Sequence, residues 1–274
     1  MLPEFFTYAF MQRAVVAGVL IGLLCAVLGI FLVLRRLSLI GDGLAHVSFG
    51  GVAVALFAGL EGASMLLLTV PVVLLSSLGI LRLANNARLG GDAAIGIISS
   101  VGVSLGVLLA VLGRGYGVDL MSYLFGSILA ISNAELLVAA ALFVLVTGLL
   151  LFYFNDLAAL TFNEDLAATS GINVRFLNSL LAVLTALTVV LAMKLVGVML
   201  ISALLILPSC TALQLARGFK MAVLLAAAVS VVAVIGGIML SFVLNLPTGA
   251  TIILLAFAMF ALSLAARQIQ IANI

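Results

Sequence analysis

The sequence predicts an all-α, polytopic membrane helix bundle of about nine transmembrane helices, and three observations lead there. Of 274 residues, 66% are hydrophobic and 7% are charged, where a soluble domain carries roughly 25% charged residues. Mean hydropathy is +1.51, so polar side chains are too few to cover a water-facing surface and lipid is the expected solvent. The apolar stretches are also continuous rather than alternating. A segment crossing lipid must satisfy its own backbone hydrogen bonds, so continuous runs select helices over a barrel. A net charge of +2, scattered along the chain, gives no footing for nucleic acid.

Nine stretches reach the length that a hydrocarbon core requires, about 20 helical residues. They are 14–34, 38–60, 63–81, 93–113, 136–154, 176–193, 195–216, 222–244 and 249–266. The N-terminal residues Met1–Gln12 carry Glu4 and no basic residue, and the apolar run after Arg13 is too long for a signal h-region. The first helix is therefore expected to be retained. Residues 176–216 contain one charge, Lys194, and as a single helix would be about 60 Å long. The chain is expected to break near Lys194–Gly197 with hardly any loop, and Pro208 marks a further kink. Eight or ten crossings are compatible with this pattern.

Basic residues set the expected orientation. With nine alternating helices and the Arg35–Arg36 turn cytoplasmic, that side receives Arg35, Arg36, Arg82, Arg88, Arg175, Arg217, Lys220 and Arg267. The other receives Arg13, Arg114 and Lys194. The N-terminus is then outside and the C-terminus cytoplasmic. Gly18, Gly22 and Gly29, and Gly102 with Gly106, form small-residue faces that let helices approach closely.

Two connections stand out. Asn155–Val174 is the longest polar loop, on the cytoplasmic side, with Asp156, Glu164 and Asp165. Within it Asn163 is placed to cap a short helix ending near Ser170–Gly171, with Glu164 and Asp165 in its first turn. So short a helix is unstable alone and is expected to dock on something. The second connection, Gly113–Ser132, holds Arg114 and Asp119, which can pair, and an interfacial segment MSYLFGSIL. The run Asn245-Leu-Pro-Thr-Gly-Ala reads as a turn between the last two helices.

The protein has one histidine, and it lies in an apolar segment. In SLIGDGLAHVSFGG, Asp42 and His46 are four apart and fall on one helical face, about 6 Å apart along the axis. His46 is ten residues past Arg36, about 15 Å in, near the midplane of a ~30 Å core. Ionisable groups at that depth mark ion or substrate paths by default. A carboxylate and a neutral imidazole suit Zn²⁺, Mn²⁺ or Fe²⁺, and two ligands hold an ion weakly enough to pass it on. The other reading is a structural Asp–His hydrogen bond joining two helices. Gly41, Gly43, Gly50 and Gly51 remove bulk around the pair, so another helix or subunit can come close. Lys194 reads as an interface anchor or a snorkelling side chain. Cys25 and Cys210 lie in apolar runs without paired-cysteine spacing and read as structural thiols. The two lysines, in AMKLV and GFKMA, do not fit a phosphate-binding G-x-x-x-x-G-K-[ST] loop, so no ATP site is expected in this polypeptide.

Five blocks in order, RRLSLIGDGLAHVSFGGVA, VDLMSYLFGSILAI, FNEDLAATSGINV, ALTVVLAMKLVGVMLISALLILPSCTA and LPTGATIIL, resemble those of the ZnuB-type permeases. These are the membrane subunits of ABC importers for zinc, manganese and iron. The resemblance spans nearly the whole chain and implies one transmembrane permease domain, 1–274, with a cytoplasmic ATPase-coupling loop at about 155–175. It implies a homodimer in the bacterial plasma membrane, served by two cytoplasmic ABC ATPase subunits and an extracytoplasmic metal-binding protein. Asp42 and His46 match the family's metal-path residues. Phe162, Asn163, Glu164, Asp165, Leu166 and Gly171 fall in its ATPase-engaging loop. The cargo implied is Zn²⁺, with Mn²⁺ or Fe²⁺ as alternatives, and no permanently bound cofactor. At 208–212 the chain reads PSCTA where relatives commonly have PAATA, which puts a thiol, Cys210, near the expected path. The rival reading is a stand-alone proton-coupled transporter using Asp42 and His46 as a proton relay. A vitamin or siderophore permease would need no such pair.

Overall fold

The computed structural model describes residues 9–60, 62–86, 90–113 and 131–272. All nine apolar stretches fall on helices: α1 (Ala9–Leu34), α2 (Ile40–Phe57), α3 (Leu66–Asn86), α4 (Gly91–Leu112), α5 (Asn133–Phe152), α8 (Val174–Val196), α9 (Val198–Leu215), α10 (Phe219–Leu244) and α11 (Thr248–Ala272). Among the described residues, eight of them are long and apolar enough to span a membrane. In the ninth, α9, the apolar stretch Leu200–Leu215 falls short of that length. Between α5 and α8 lie two short helices, α6 (Phe154–Phe162) and α7 (Glu164–Thr169). The expected polar loop is therefore mostly helical, because Leu157 and Leu160 bury one side of α6. Arg114, Asp119 and the MSYLFGSIL segment lie outside the described residues, as do Glu4, Arg88 and the Lys194 side chain.

Local chemistry explains the ends. Helix α1 stops where Arg36 takes a left-handed φ of 58° and the Leu37 N–H returns to the Leu32 carbonyl at 2.8 Å. Helix α5 opens with a capping box. The Glu135 N–H donates to Ser132 Oγ at 3.2 Å, and the Ser132 N–H donates to Glu135 Oε2 at 3.0 Å. The break near Lys194–Gly197 is one residue wide. Gly197 has φ 89° and ψ 157°, a conformation open to glycine and strained for other residues. The two helices it joins then pack mainly on different neighbours, α8 on α3 and α2, α9 on α1, α11 and α10. The Asn245 turn between α10 and α11 is present, with Asn245 left-handed at φ 52°.

Lipid tails are as apolar as leucine, so helices in a membrane associate through close packing rather than by escape from water. The small-residue faces do this work. Gly18 and Gly22 lie against Val234 and Ser230 of α10, and Gly29 lies against Leu205 and Ser209 of α9. There the Ser209 hydroxyl donates to the Ala26 carbonyl at 3.2 Å. Gly102 and Gly106 of α4 receive Val47, Phe49 and Gly50 of α2. A methyl at Gly29 would sit well inside contact distance of the Leu205 carbonyl oxygen, and that backbone cannot step aside. We expect Gly29→Ala to cost about 1–3 kcal/mol through overpacking, read as a lower thermal unfolding midpoint in detergent. An unchanged midpoint would mean that α9 slides freely on α1.

Burial grades across the bundle. The α1, α2 and α8 windows are 67%, 72% and 61% buried, whereas α4 and α5 reach only 11% and 17%. The first three form the interior, and the others present apolar faces outward.

Candidate functional site

Asp42 and His46 lie in the first two turns of α2, the most enclosed of the spans. Its glycines enclose it within its own chain. Gly41 meets Leu205 of α9, Gly43 meets Ile95 and Gly50 meets Gly102 of α4, and Gly51 meets Thr69 of α3. The close neighbours allowed by those glycines are thus other helices of the same chain. From Ile40 to Ala53 only Asp42, His46 and Phe49 escape full burial. At spacings of four and three these make one stripe. The His46 and Asp42 side chains remain 37% and 46% exposed, on an open face rather than in a sealed contact.

Depth follows from shared neighbours. Gly29 and Gly41 both pack on Leu205, so α2 starts level with a point five residues, about 8 Å, inside the end of α1. His46 is five residues further on, which places it about 15 Å from that end, half of a ~30 Å core.

His46 Nε2 stands 3.6 Å from Asp42 Oδ2, beyond hydrogen-bond length. The contact that does join helices comes from Ser202 of α9, whose hydroxyl donates to Asp42 Oδ1 at 3.0 Å. The structural reading of the pair, an Asp–His bond between helices, therefore does not describe this geometry: both groups belong to α2, and the bridge is Ser202. Nothing in the sequence singled out Ser202. It is one hydroxyl among several in apolar helices, and others such as Thr185 and Thr188 bond only their own backbone.

The side chains of one chain are too few to complete the coordination of an ion. Among the described residues no cluster of three or more His, Cys, Asp or Glu side chains exists. Cys210 is eight residues beyond Ser202 on α9, about 12 Å, too far to share an ion with Asp42. Cys25 is fully buried. The chemistry available is one carboxylate, one imidazole and one hydroxyl around an open face.

The second set of expected residues forms the α6–α7 junction. Asn163 is extended and its Oδ1 accepts the Leu166 N–H at 3.0 Å, capping α7 over Glu164 and Asp165. Helix α7 ends at Ser170, and Gly171 turns the chain with φ 85°. Only Ala167 of this helix is buried. Glu164 ties the loop to the bundle: its Oε2 is 3.4 Å from Arg35 Nη2, and its Oε1 accepts from Asn178 Nδ2 at 3.2 Å. Burial lowers the basicity of the Arg35 guanidinium and Glu164 opposes that shift. Beneath, Phe219 packs on three rings with centroids 5.4–5.5 Å apart, edge to face on Phe31 and Phe162 and tilted at 44° on Phe154. Yet Phe162 and Leu166 remain 68% and 66% exposed beside the charged first turn of α7.

The ABC 3 transport family matches residues 7–267. The chain is 34% identical over 260 residues to the manganese transport system membrane protein MntC of Halalkalibacterium halodurans, covering 95% of this chain and 88% of that protein. It is 34% identical to the high-affinity zinc uptake system membrane protein ZnuB of Haemophilus influenzae, covering 93% and 97%. A probable iron transport system membrane protein of the same organism is 33% identical, with 98% of each chain covered. Among solved structures, PsaBC from Streptococcus pneumoniae in complex with Fab superposes with a TM-score of 0.84 at 31% identity, covering 96% and 95%.

Proposed function

The chain belongs to the ABC 3 transport family, and from that premise we propose that it is the membrane permease subunit of an ATP-binding-cassette importer for a divalent transition metal. The observation that carries this reading is the open Asp42–His46 stripe on an otherwise buried helix. Such groups are costly within a bilayer, and where they occur they mark ion or substrate paths. Relatives are named for manganese, zinc and iron, so cargo identity rests on chemistry. A nitrogen–oxygen donor pair without thiolate accepts all three, and the Irving–Williams order ranks Zn²⁺ above Fe²⁺ and Mn²⁺. On that ground we take zinc as the cargo, with manganese or iron(II) as the second reading.

Two ligands and a hydroxyl do not complete the coordination of any of these ions. In the proposed assembly a second copy faces the stripe, so that two carboxylates and two imidazoles surround the ion. Such a site forms and opens as the two copies move, which lets it admit and release cargo. ATP is hydrolysed by separate cytoplasmic subunits that grip Phe162, Leu166 and the α7 turn, and an extracytoplasmic protein delivers the ion. Glu164 and Arg35 link the gripped loop to the α1–α2 turn, five residues before α2 begins. A displacement of the loop therefore reaches Asp42 through a short, stiff connection. The setting is the bacterial plasma membrane with the N-terminus outside, the orientation favoured by the basic residues.

Family membership favours this ATP-driven reading over a stand-alone proton-coupled transporter. The test is uptake in proteoliposomes holding the chain with its ATPase subunits and binding protein. We expect ⁶⁵Zn accumulation that needs ATP and ignores a pH gradient, and competition by zinc against ⁵⁴Mn. Uptake by the chain alone driven by a pH gradient would sink the proposal, and manganese outcompeting zinc would replace the cargo.

A further inference from the structure

A groove of about 910 Å³ runs between the end of α3 and the start of α8, beside the α7 turn. Its polar lining includes Arg82, Arg175, Asn178 and Glu164, and Leu78 belongs to its apolar wall. Except for Glu164, these residues sit in the last turns of one membrane-spanning helix or the first turns of another. The groove thus opens at the membrane surface, on the side where α3 ends. Its charges do not cancel. Glu164 is engaged by Arg35 and Asn178, while Arg82 and Arg175 are exposed and their guanidinium groups make no hydrogen bond or ion pair among the described residues.

A wall that is apolar toward the bilayer and doubly cationic toward water matches the two halves of one molecule. We propose that this groove binds the phosphate headgroup of an anionic phospholipid, phosphatidylglycerol being the simplest, from the leaflet on the α7 side. Guanidinium groups grip phosphate oxygens in bidentate fashion, and basic pockets between membrane helices collect anionic headgroups. The acyl chain would lie along Leu78 while the phosphate bridges Arg82 and Arg175. A partner protein's acidic surface is the competing occupant. The lipid is favoured because all of the lining except Glu164 belongs to spanning segments rather than to the projecting α7 turn. The inference stands on the membrane setting and does not depend on the cargo.

Native mass spectrometry of the full-length chain, released from phosphatidylcholine nanodiscs with added phosphatidylglycerol, tests it. The unaltered protein should retain phosphatidylglycerol over phosphatidylcholine. Arg82→Gln with Arg175→Gln should cut that preference about five-fold per charge removed, while Arg82→Lys with Arg175→Lys keeps most of it and controls for folding. An unchanged preference in the glutamine double variant overturns the proposal. So does displacement of the lipid by millimolar inorganic phosphate, which would assign the groove to a free anion. If the glutamine variant keeps its lipid but loses its co-purifying ATPase, the groove belongs to the partner protein and the lipid assignment falls.

Discussion

His46→Ala and Asp42→Ala each reduce ATP-driven metal uptake by ten-fold or more, while the permease still inserts and still co-purifies with its ATPase. Losing even an outer-shell partner of a metal ligand commonly costs 10–100-fold in affinity or activity. A direct ligand, repeated in both copies of the proposed dimer, should cost at least that, if the proposed site is the ion's path. Folding should survive because the pair makes one internal tie between helices, the Ser202–Asp42 hydrogen bond. The two stand 3.6 Å apart and remain over a third exposed, and α2 is fixed by Gly41, Gly43, Gly50 and Gly51 packing against three helices. Removing Asp42 leaves only the Ser202 hydroxyl without its acceptor, at a cost of about 1 kcal/mol. Near-normal ⁶⁵Zn uptake by both variants would refute the site. Loss of insertion in either would make the pair structural instead.

Leu166→Asp should separate the chain from its ATPase without harming the bundle. Leu166 is 66% exposed, and every other α7 residue except Ala167 is exposed as well, so the bundle loses almost no packing when it changes. An apolar side chain buried at the heart of an interface contributes about 2 kcal/mol, and a carboxylate in its place adds a desolvation cost. Together these predict at least ~30-fold weaker assembly, read by co-purification and by ATP hydrolysis that no longer responds to the permease. The unfolding midpoint should stay put. Unimpaired assembly would show that the α7 turn is not the docking point, and a lowered midpoint would show that it is part of the fold.

The break at Gly197 was legible because a 41-residue run with a single charge, as one helix, would be twice the thickness of the core. The Asn163 cap was legible because asparagine followed by two acids is a local signature that needs no tertiary contact. The capping box at Ser132–Glu135 is equally local, a Ser-x-x-Glu signature just before an apolar run. The helical character of Phe154–Phe162 was hidden for a different reason: Leu157 and Leu160 find their partners only when α6 lies on the bundle.

Asp42 and His46 could be found from sequence because intramembrane ionisable groups are rare and the 3.6-residue period alone places them on one face. Ser202, Arg35 and Asn178 could not. Each acts through a residue far away in the chain, and their residue types are ordinary at their own positions. Nor could composition say that the glycines of α2 serve its own chain rather than a second subunit. Composition and periodicity determined the membrane setting, the helices and the polar pair, because lipid imposes those costs residue by residue. Only the packed structure decided which face of α2 stays open, which hydroxyl holds its carboxylate and where the α7 turn is tied. Those depend on contacts between helices that no local cost specifies.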